Sequence, residues 1–497
     1  MRSKFFINTL ILTLSNILTG ALAFIFTVIL SREIGSRGMG LYQLVAPLYT
    51  MFLFFTGGGI TVSISKITAE KKALGKTREM YNTIKAACIF EIIWSIFITT
   101  LLILLSGFVS KNILNDDRTL LSILSFCPAL IIVSISSVFK GVFYGYQKIL
   151  EPAIIDVLEK AVRILSIYVL IQTFKGYDIN IKSAAAFISL SLGELSSLIL
   201  LYICYLRFKH STPPMGKSDN SLQLLFNLLK LSIPLALNGI LSTMFNSIIA
   251  ILIPKRLSIA GIPYEEAISL LGKLQGMAMN IIFFPSIILS SLSTILIPSL
   301  SEGVAFKNYK ILNHRINTTF KFTMVVAFAS LSILLNASKE IAMFIYKDSS
   351  VGKIIYYLSF GIPIVYFEIM SFSILNGLGK QFNLLINSII LSLIDVLLIY
   401  FIMPIPSINI YGYSINFIVS ALVGIFLNIK CILDTLDNFK FDLFNIIILP
   451  LFIGILNYIV GSIIKNIIPI HMYIFICYLI YGTLYLVLSK LSTSKKI

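Results

Sequence analysis

The sequence predicts an all-α polytopic membrane protein with about fourteen transmembrane helices: two six-helix lobes related by a parallel repeat, then two further C-terminal helices. Three observations predict it. Long apolar segments recur across residues 5–488, separated by short basic or turn-rich links. Roughly twenty apolar residues at 1.5 Å rise match a hydrocarbon core of ~30 Å, and only helices or closed barrels satisfy their backbone there. Hydrophobic residues make up 57% of the 497 and charged residues 12%, about half the charge density of a typical soluble domain. Finally, similar segments occur in the same order in the two halves.

The first segment, 5–30, follows Met1-Arg2-Ser3-Lys4. It is longer than a signal-peptide core and has no small-residue cleavage site, so it reads as a retained span. Spans at 41–65, 84–107, 120–139, 153–174 and 183–206 complete an N-terminal lobe, residues 1–217. The link 207–223, with Thr212-Pro213-Pro214 and Gly216, separates it from a second lobe, residues 218–430. That lobe holds spans at 231–253, 270–300, 318–335, 354–375, 384–403 and 411–429. Residues 431–497 add a final pair at 444–464 and 468–488.

The net charge of +17 is an orientation signal. Of the 39 lysines and arginines, 24 fall in links on the side of the N-terminus and 13 on the other side, while Lys160 and Arg163 lie inside a span. The positive-inside rule then places both termini in the cytoplasm and makes the span number even. This distribution argues against a nucleic-acid partner. The five cysteines are scattered without CxxC spacing and read as small buried hydrophobes, and His210, His314 and His471 are too dispersed for a metal site.

The repeat is carried by particular segments. Leu14-Ser15-Asn16-Ile17-Leu18 in the first span matches Leu237-Asn238-Gly239-Ile240-Leu241 in the seventh. Each asparagine precedes a basic exit by about fifteen residues: Arg32 in one half, Lys255-Arg256 in the other. The fourth span runs from Leu124-Ser125-Phe126 to Gly145-Tyr146-Gln147-Lys148, and the tenth from Leu358-Ser359-Phe360 to Gly377-Leu378-Gly379-Lys380. With six spans per half, both halves enter from the same side. That is one of the recurrent secondary-transporter plans, with substrate held between the halves.

Three stretches resemble one superfamily: Arg32-Glu33-Ile34-Gly35-Ser36-Arg37-Gly38-Met39-Gly40-Leu41-Tyr42, the run Gly57-Gly58-Gly59 followed by Ser63 to Lys66, and Ile297-Pro298-Ser299-Leu300-Ser301-Glu302. It is the multidrug, oligosaccharidyl-lipid and polysaccharide exporter superfamily and, within it, the stage V sporulation protein B type of polysaccharide and lipid II flippase. The resemblance covers essentially the whole chain. It implies transfer of undecaprenyl-pyrophosphate-linked sugars to the outer leaflet by two rocking lobes, with membrane lipids and cell-wall synthesis proteins as partners, and a role in building the spore cortex. One departure stands out. Vegetative lipid II flippases carry cavity arginines on the first, second and eighth spans, where this chain offers Asn16, then Phe54 and Thr56, and only Lys273 near the outer end of the eighth.

Asp156, Glu159, Lys160 and Arg163 fall at i, i+3, i+4 and i+7 of the fifth span, one stripe of a helix. Each charge at membrane depth costs about 2.5 to 3.5 kcal/mol, so four in a row should face a wet cavity or find partners. Lys160 and Arg163 suit a lipid pyrophosphate; the alternative is a cytoplasmic helix end whose charges pair among themselves. Glu91, Glu194, Glu368 and Asp395 are isolated intramembrane acids, candidates for proton or sodium coupling or for pairing with the cations. Asn16, Asn238 and Asn246 could bond sugar or phosphate, or link helices. Arg32, Lys255 and Arg256 could gate the exit or anchor at the interface. Pro47, Pro128, Pro234, Pro285 and Pro363 lie within spans as kinks, mobile or static.

No Walker A sequence, GxSxG or metal-spaced His pair is present, so no cofactor is implied and an enzyme is not expected. A cation-coupled drug exporter is the alternative within the same class; a membrane glycan polymerase or a non-transporting scaffold stands outside it. The polymerase would need a large outer loop, and the longest outward link, 254–269, is short.

Overall fold

The computed structural model describes residues 2–494 except 217–219, 307, 308, 437, 438 and 466. The expected lobe boundary between 217 and 218 lies outside the described residues. Helices joined by short links make up the chain in these residues: α1 Arg2–Gly57, α2 Ile60–Ala73, α3 Thr77–Phe108, α4 Leu120–Gly145, α5 Leu150–Thr173, α6 Ile179–Ser211, α7 Ser221–Ile259, α8 Tyr264–Leu271 and α9 Met279–Phe283. Then follow α10 Ser286–Ala305, α11 Tyr309–Tyr346, α12 Val351–Ser359, α13 Ile362–Gly377, α14 Gln381–Ile402, α15 Gly412–Thr435, α16 Leu449–Ile464 and α17 Ile470–Ser494.

Breaks fall where the sequence removes helical options. Gly35, at φ 66°, interrupts α1, and Gly59, at φ 76°, separates α1 from α2; only glycine takes such φ without strain. The span expected at 270–300 is not one helix. It is divided by a π turn at Gly272–Ala278 and by Pro285, which caps α10 without an N–H to continue the preceding helix. The span expected at 354–375 is likewise two helices, α12 and α13, bent by 61°. Pro363 sits in the first turn of α13, and at the junction a Cβ on Gly361 would come within 2.6 Å of the Phe417 ring.

Among the described residues, eleven helices are long and apolar enough to cross a membrane, or twelve when the bent pair counts as one. This measure falls short of fourteen for two physical reasons. Residues Leu10–Ala73 form one run of 64 residues, roughly 95 Å of helix and far more than one bilayer crossing. Helix α5 is long enough at 24 residues, but its charges keep it out of the apolar set.

The chain forms two compact units, Met1–Pro254 with Ile268–Gly272, and Lys255–Ala267 with Lys273–Ile497. In the first, α4 packs on α2, α3 and α6, and α5 packs on α6 and α1. In the second, α13 packs on α10, α11 and α15, and α14 packs on α15. The same pairing order therefore occurs twice. It extends to single contacts: Gly145 of α4 lies against the Ser65 carbonyl of α2, and Gly377 of α13 lies against Ile297 of α10. The two pairs occupy matching positions in the halves, and in each the missing Cβ lets backbones approach closely. Gly141, one turn before Gly145, meets the Thr61 carbonyl in the same way.

The first unit also holds the residues 268–272, where Ser36 and Ser269 hydroxyls lie 2.7 Å apart. A methyl on Gly40 would overlap the Ile268 carbonyl oxygen there, and one on Gly272 would overlap that of Ser36. In the second unit, α16 and α17 pack on α11 through the Asn457 amide donating to Ser332, the Asn336 amide donating to the Tyr458 carbonyl, and the Ser330–Tyr478 hydroxyl pair.

Candidate functional site

Helix α5 begins just after Lys148, with Glu151-Pro152 in its first turn, where proline's missing N–H costs nothing. From there its helical period brings Asp156, Glu159, Lys160 and Arg163 toward α1, α4 and α6. Glu159 is almost fully buried and accepts from Lys160 Nζ at 2.6 Å. Asp156 pairs instead with Lys140 of α4, Nζ to Oδ1 at 2.7 Å. Arg163 donates to the Tyr42 hydroxyl at 3.1 Å and lies over the Phe26 ring at 4.0 Å, both on α1. Tyr42 stacks on Phe187 of α6, with centroids 4.9 Å apart. The guanidinium is thus held by one aromatic face and one hydroxyl, and its Nε has no partner.

Glu194 of α6 completes the group. It interacts electrostatically with Lys140, Lys160 and Arg163 and with Glu159. Gly193, beside it, explains the close approach: a Cβ there would come within 3.1 Å of the Glu159 carbonyl oxygen and 3.2 Å of Arg163 Cβ. The four-residue stripe is therefore one side of a six-residue cluster. Lys140, which reading 120–139 as the fourth span left in a link, lies within α4 because that helix continues to Gly145.

Glu91 is not part of the cluster. It is buried on α3 with Oε2 unpartnered and faces Gly57, where a Cβ would lie 3.6 Å away. A carboxylate without a donor in that position is costly unless protonated or hydrated.

Glu368 and Asp395 belong to the second unit. They lie within electrostatic reach of each other, Glu368 beside Asn428 and Asp395 beside Ser420 and Asn416. Asn387 donates to Asn428 at 2.9 Å, and Asn428 donates to Ser371 at 2.9 Å, all buried. Gly424 of α15 stands to Glu368 as Gly193 of α6 stands to the α5 charges: a Cβ on it would come within 2.8 Å of Glu368 Cγ. The sequence reading missed this asparagine network, whose signal was amides inside otherwise apolar spans.

Asn16, Asn238 and Asn246 are exposed, as are Arg32 and Lys255. Arg256 lies over the Tyr400 ring at 3.2 Å in the second unit.

The chain matches the family described as polysaccharide biosynthesis protein over residues 5–304. It is 30% identical over 429 residues to stage V sporulation protein B of Bacillus subtilis strain 168, covering 85% of this chain and 82% of that one. Identity to the lipid II flippase MurJ of the same organism is 25% over 466 residues, covering 86% and 83%. Among solved structures, lipid II flippase MurJ in an inward closed conformation shares the fold with a TM-score of 0.72 over 99% of both chains at 15% identity. An inward-facing multidrug resistance MATE family transporter of the MOP superfamily does so with a TM-score of 0.69, covering 85% of this chain and 96% of that one, at 14% identity.

Proposed function

The chain belongs to the polysaccharide biosynthesis protein family, and we propose that it is a flippase that moves an undecaprenyl-pyrophosphate-linked precursor of the lipid II kind from the inner to the outer leaflet by alternating access. It is a transporter of the MOP superfamily rather than an enzyme, in keeping with the relatives named as a lipid II flippase and a sporulation protein. The observation that carries this reading is the α5 cluster. Three cations, Lys140, Lys160 and Arg163, meet on facing helices within a membrane-spanning fold, with Arg163 set against the Phe26 ring. Such cations at membrane depth are expensive and mark a substrate pathway by default. A guanidinium beside ammonium groups suits a sugar-linked pyrophosphate that must slide through.

Fourteen crossings follow in this reading if Leu10–Ala73 crosses twice and α5 crosses once, with both termini cytoplasmic. The lobes are residues 1–217 and 218–430, with 431–497 added; the exposed Asn16, Asn238 and Asn246 would meet sugar or phosphate, and Arg32, Lys255 and Arg256 the exit. Transport is coupled to an ion gradient through Glu91, Glu194, Glu368 or Asp395, and the protein serves spore cortex synthesis beside cell-wall enzymes. The test is reconstitution into liposomes with defined lipid-linked sugars and a leaflet-specific readout. Lys160→Gln/Arg163→Gln should abolish flipping at normal abundance. Because those changes leave Glu159 without its 2.6 Å partner, the control neutralises all four positions of the stripe. A fourfold variant that flips like wild type refutes the assignment.

A further inference from the structure

We propose that Glu194 is the proton-binding residue that sets the anion affinity of the α5 cluster, so that one proton is bound together with the substrate's pyrophosphate. This deepens the pyrophosphate reading above and rests on it. The cluster holds three cations, Lys140, Lys160 and Arg163, and three carboxylates, Asp156, Glu159 and Glu194. With all six ionised its formal charge is zero. A pyrophosphate then meets no net attraction and must compete with ion pairs already formed.

The three carboxylates are not equivalent. Asp156 is paired with Lys140 at 2.7 Å and Glu159 with Lys160 at 2.6 Å. Among the described residues Glu194 has no cation within 4.0 Å, the ion-pair distance met by the other two acids. Protonating Asp156 or Glu159 breaks an ion pair. Protonating Glu194 breaks none and leaves the cluster with a net charge of +1. The charged and titratable groups facing Glu194 are Lys140 from α4, Glu159, Lys160 and Arg163 from α5, and Tyr49 from α1, with Tyr42 beyond it on Arg163. Glu159 disfavours a second negative charge beside it, and an arriving pyrophosphate does so more strongly. Anion binding and proton binding at Glu194 therefore assist each other, and by linkage each strengthens the other equally. The side chains of Lys140 and Lys160 retain 22% and 25% exposure, so these two cations are reachable by a ligand without unfolding the helices.

The test uses the full chain in detergent and UDP-N-acetylglucosamine as probe, a sugar pyrophosphate diester whose phosphate charge is constant near neutral pH. Calorimetry in buffers of different ionisation enthalpy counts protons taken up on binding. Wild type should take up about one proton and lose up to about tenfold in affinity per pH unit as pH rises through the titration. Glu194→Gln, nearly isosteric, should bind with no proton uptake and a flat pH profile, whereas Asp156→Asn should keep the wild-type slope. Equal proton uptake in wild type and Glu194→Gln overturns this inference alone. A wild type that binds no probe at any pH, and matches Lys160→Gln/Arg163→Gln in doing so, overturns the pyrophosphate reading and this inference together.

Discussion

Replacing Lys160 and replacing Glu159 should have very different costs, although they remove the same ion pair. Glu159 keeps 4% of its side-chain surface and Lys160 keeps 25%. In Lys160→Gln the carboxylate loses its 2.6 Å partner and cannot turn to water. Removing one partner of a buried pair costs about 3 to 5 kcal/mol, and the nearby Lys140 and Arg163 recover part of it, leaving about 3 kcal/mol. In Glu159→Gln the stranded ammonium reaches water along its flexible stem, so the loss is close to that of an exposed pair, below about 1 kcal/mol. Glu159→Gln/Lys160→Gln strands neither charge and should be more stable than Lys160→Gln alone. Equilibrium unfolding in mixed micelles measures this. Trp94, the single tryptophan, donates to the Phe55 carbonyl at 2.9 Å and reports opening of the first unit. Equal costs for the two single variants, or a harmless Lys160→Gln, would refute the burial asymmetry on which the cluster's energetics rest.

Gly40→Ala should destabilise by about 1 to 3 kcal/mol in the same assay, because its methyl overlaps the Ile268 carbonyl oxygen, while Gly107→Ala, which meets nothing within 4 Å, should be neutral or gain up to about 1 kcal/mol. Asn428→Ala strands the Asn387 amide and leaves Ser371 without its donor; a loss of about 1 to 3 kcal/mol in unfolding free energy is expected, and no loss would show the network to be dispensable. Cysteines placed at Lys71 or Lys310 should resist an impermeant thiol reagent in intact cells, and labelling at either would reverse the orientation drawn from the basic links.

The helical membrane class was legible because apolar runs of bilayer length have few other solutions, and the repeat because the same segments recur in order. The α5 stripe was legible because charge is rare at such depth. Its partners were not. Lys140 looked like a link residue beside Gly141, and only the continuation of α4 to Gly145 turns it toward Asp156. Glu194 was visible as an isolated acid, yet nothing local says that Gly193 lets it approach Glu159 and Arg163. Prolines marked kinks without fixing their angles, so 270–300 and 354–375 read as single spans. The amides of Asn387, Asn416 and Asn428 passed unnoticed because long-range hydrogen bonding leaves no periodic trace.

The mutual neutralisation around α5 also constrains how the protein is made. Four charges at about 2.5 to 3.5 kcal/mol each, set against roughly twenty other residues, make this helix a poor candidate to leave the translocon for lipid by itself. Its counter-charges arrive on both sides in synthesis order, Lys140 on the helix before it and Glu194 on the helix after it. Membrane integration of α5 is then a cooperative event of three consecutive helices, retained at the insertion site until α6 has emerged. A ribosome stalled before residue 194 would hold α5 outside the bilayer, and a substitution at Lys140 would first be felt as a defect in biogenesis, before any defect in transport.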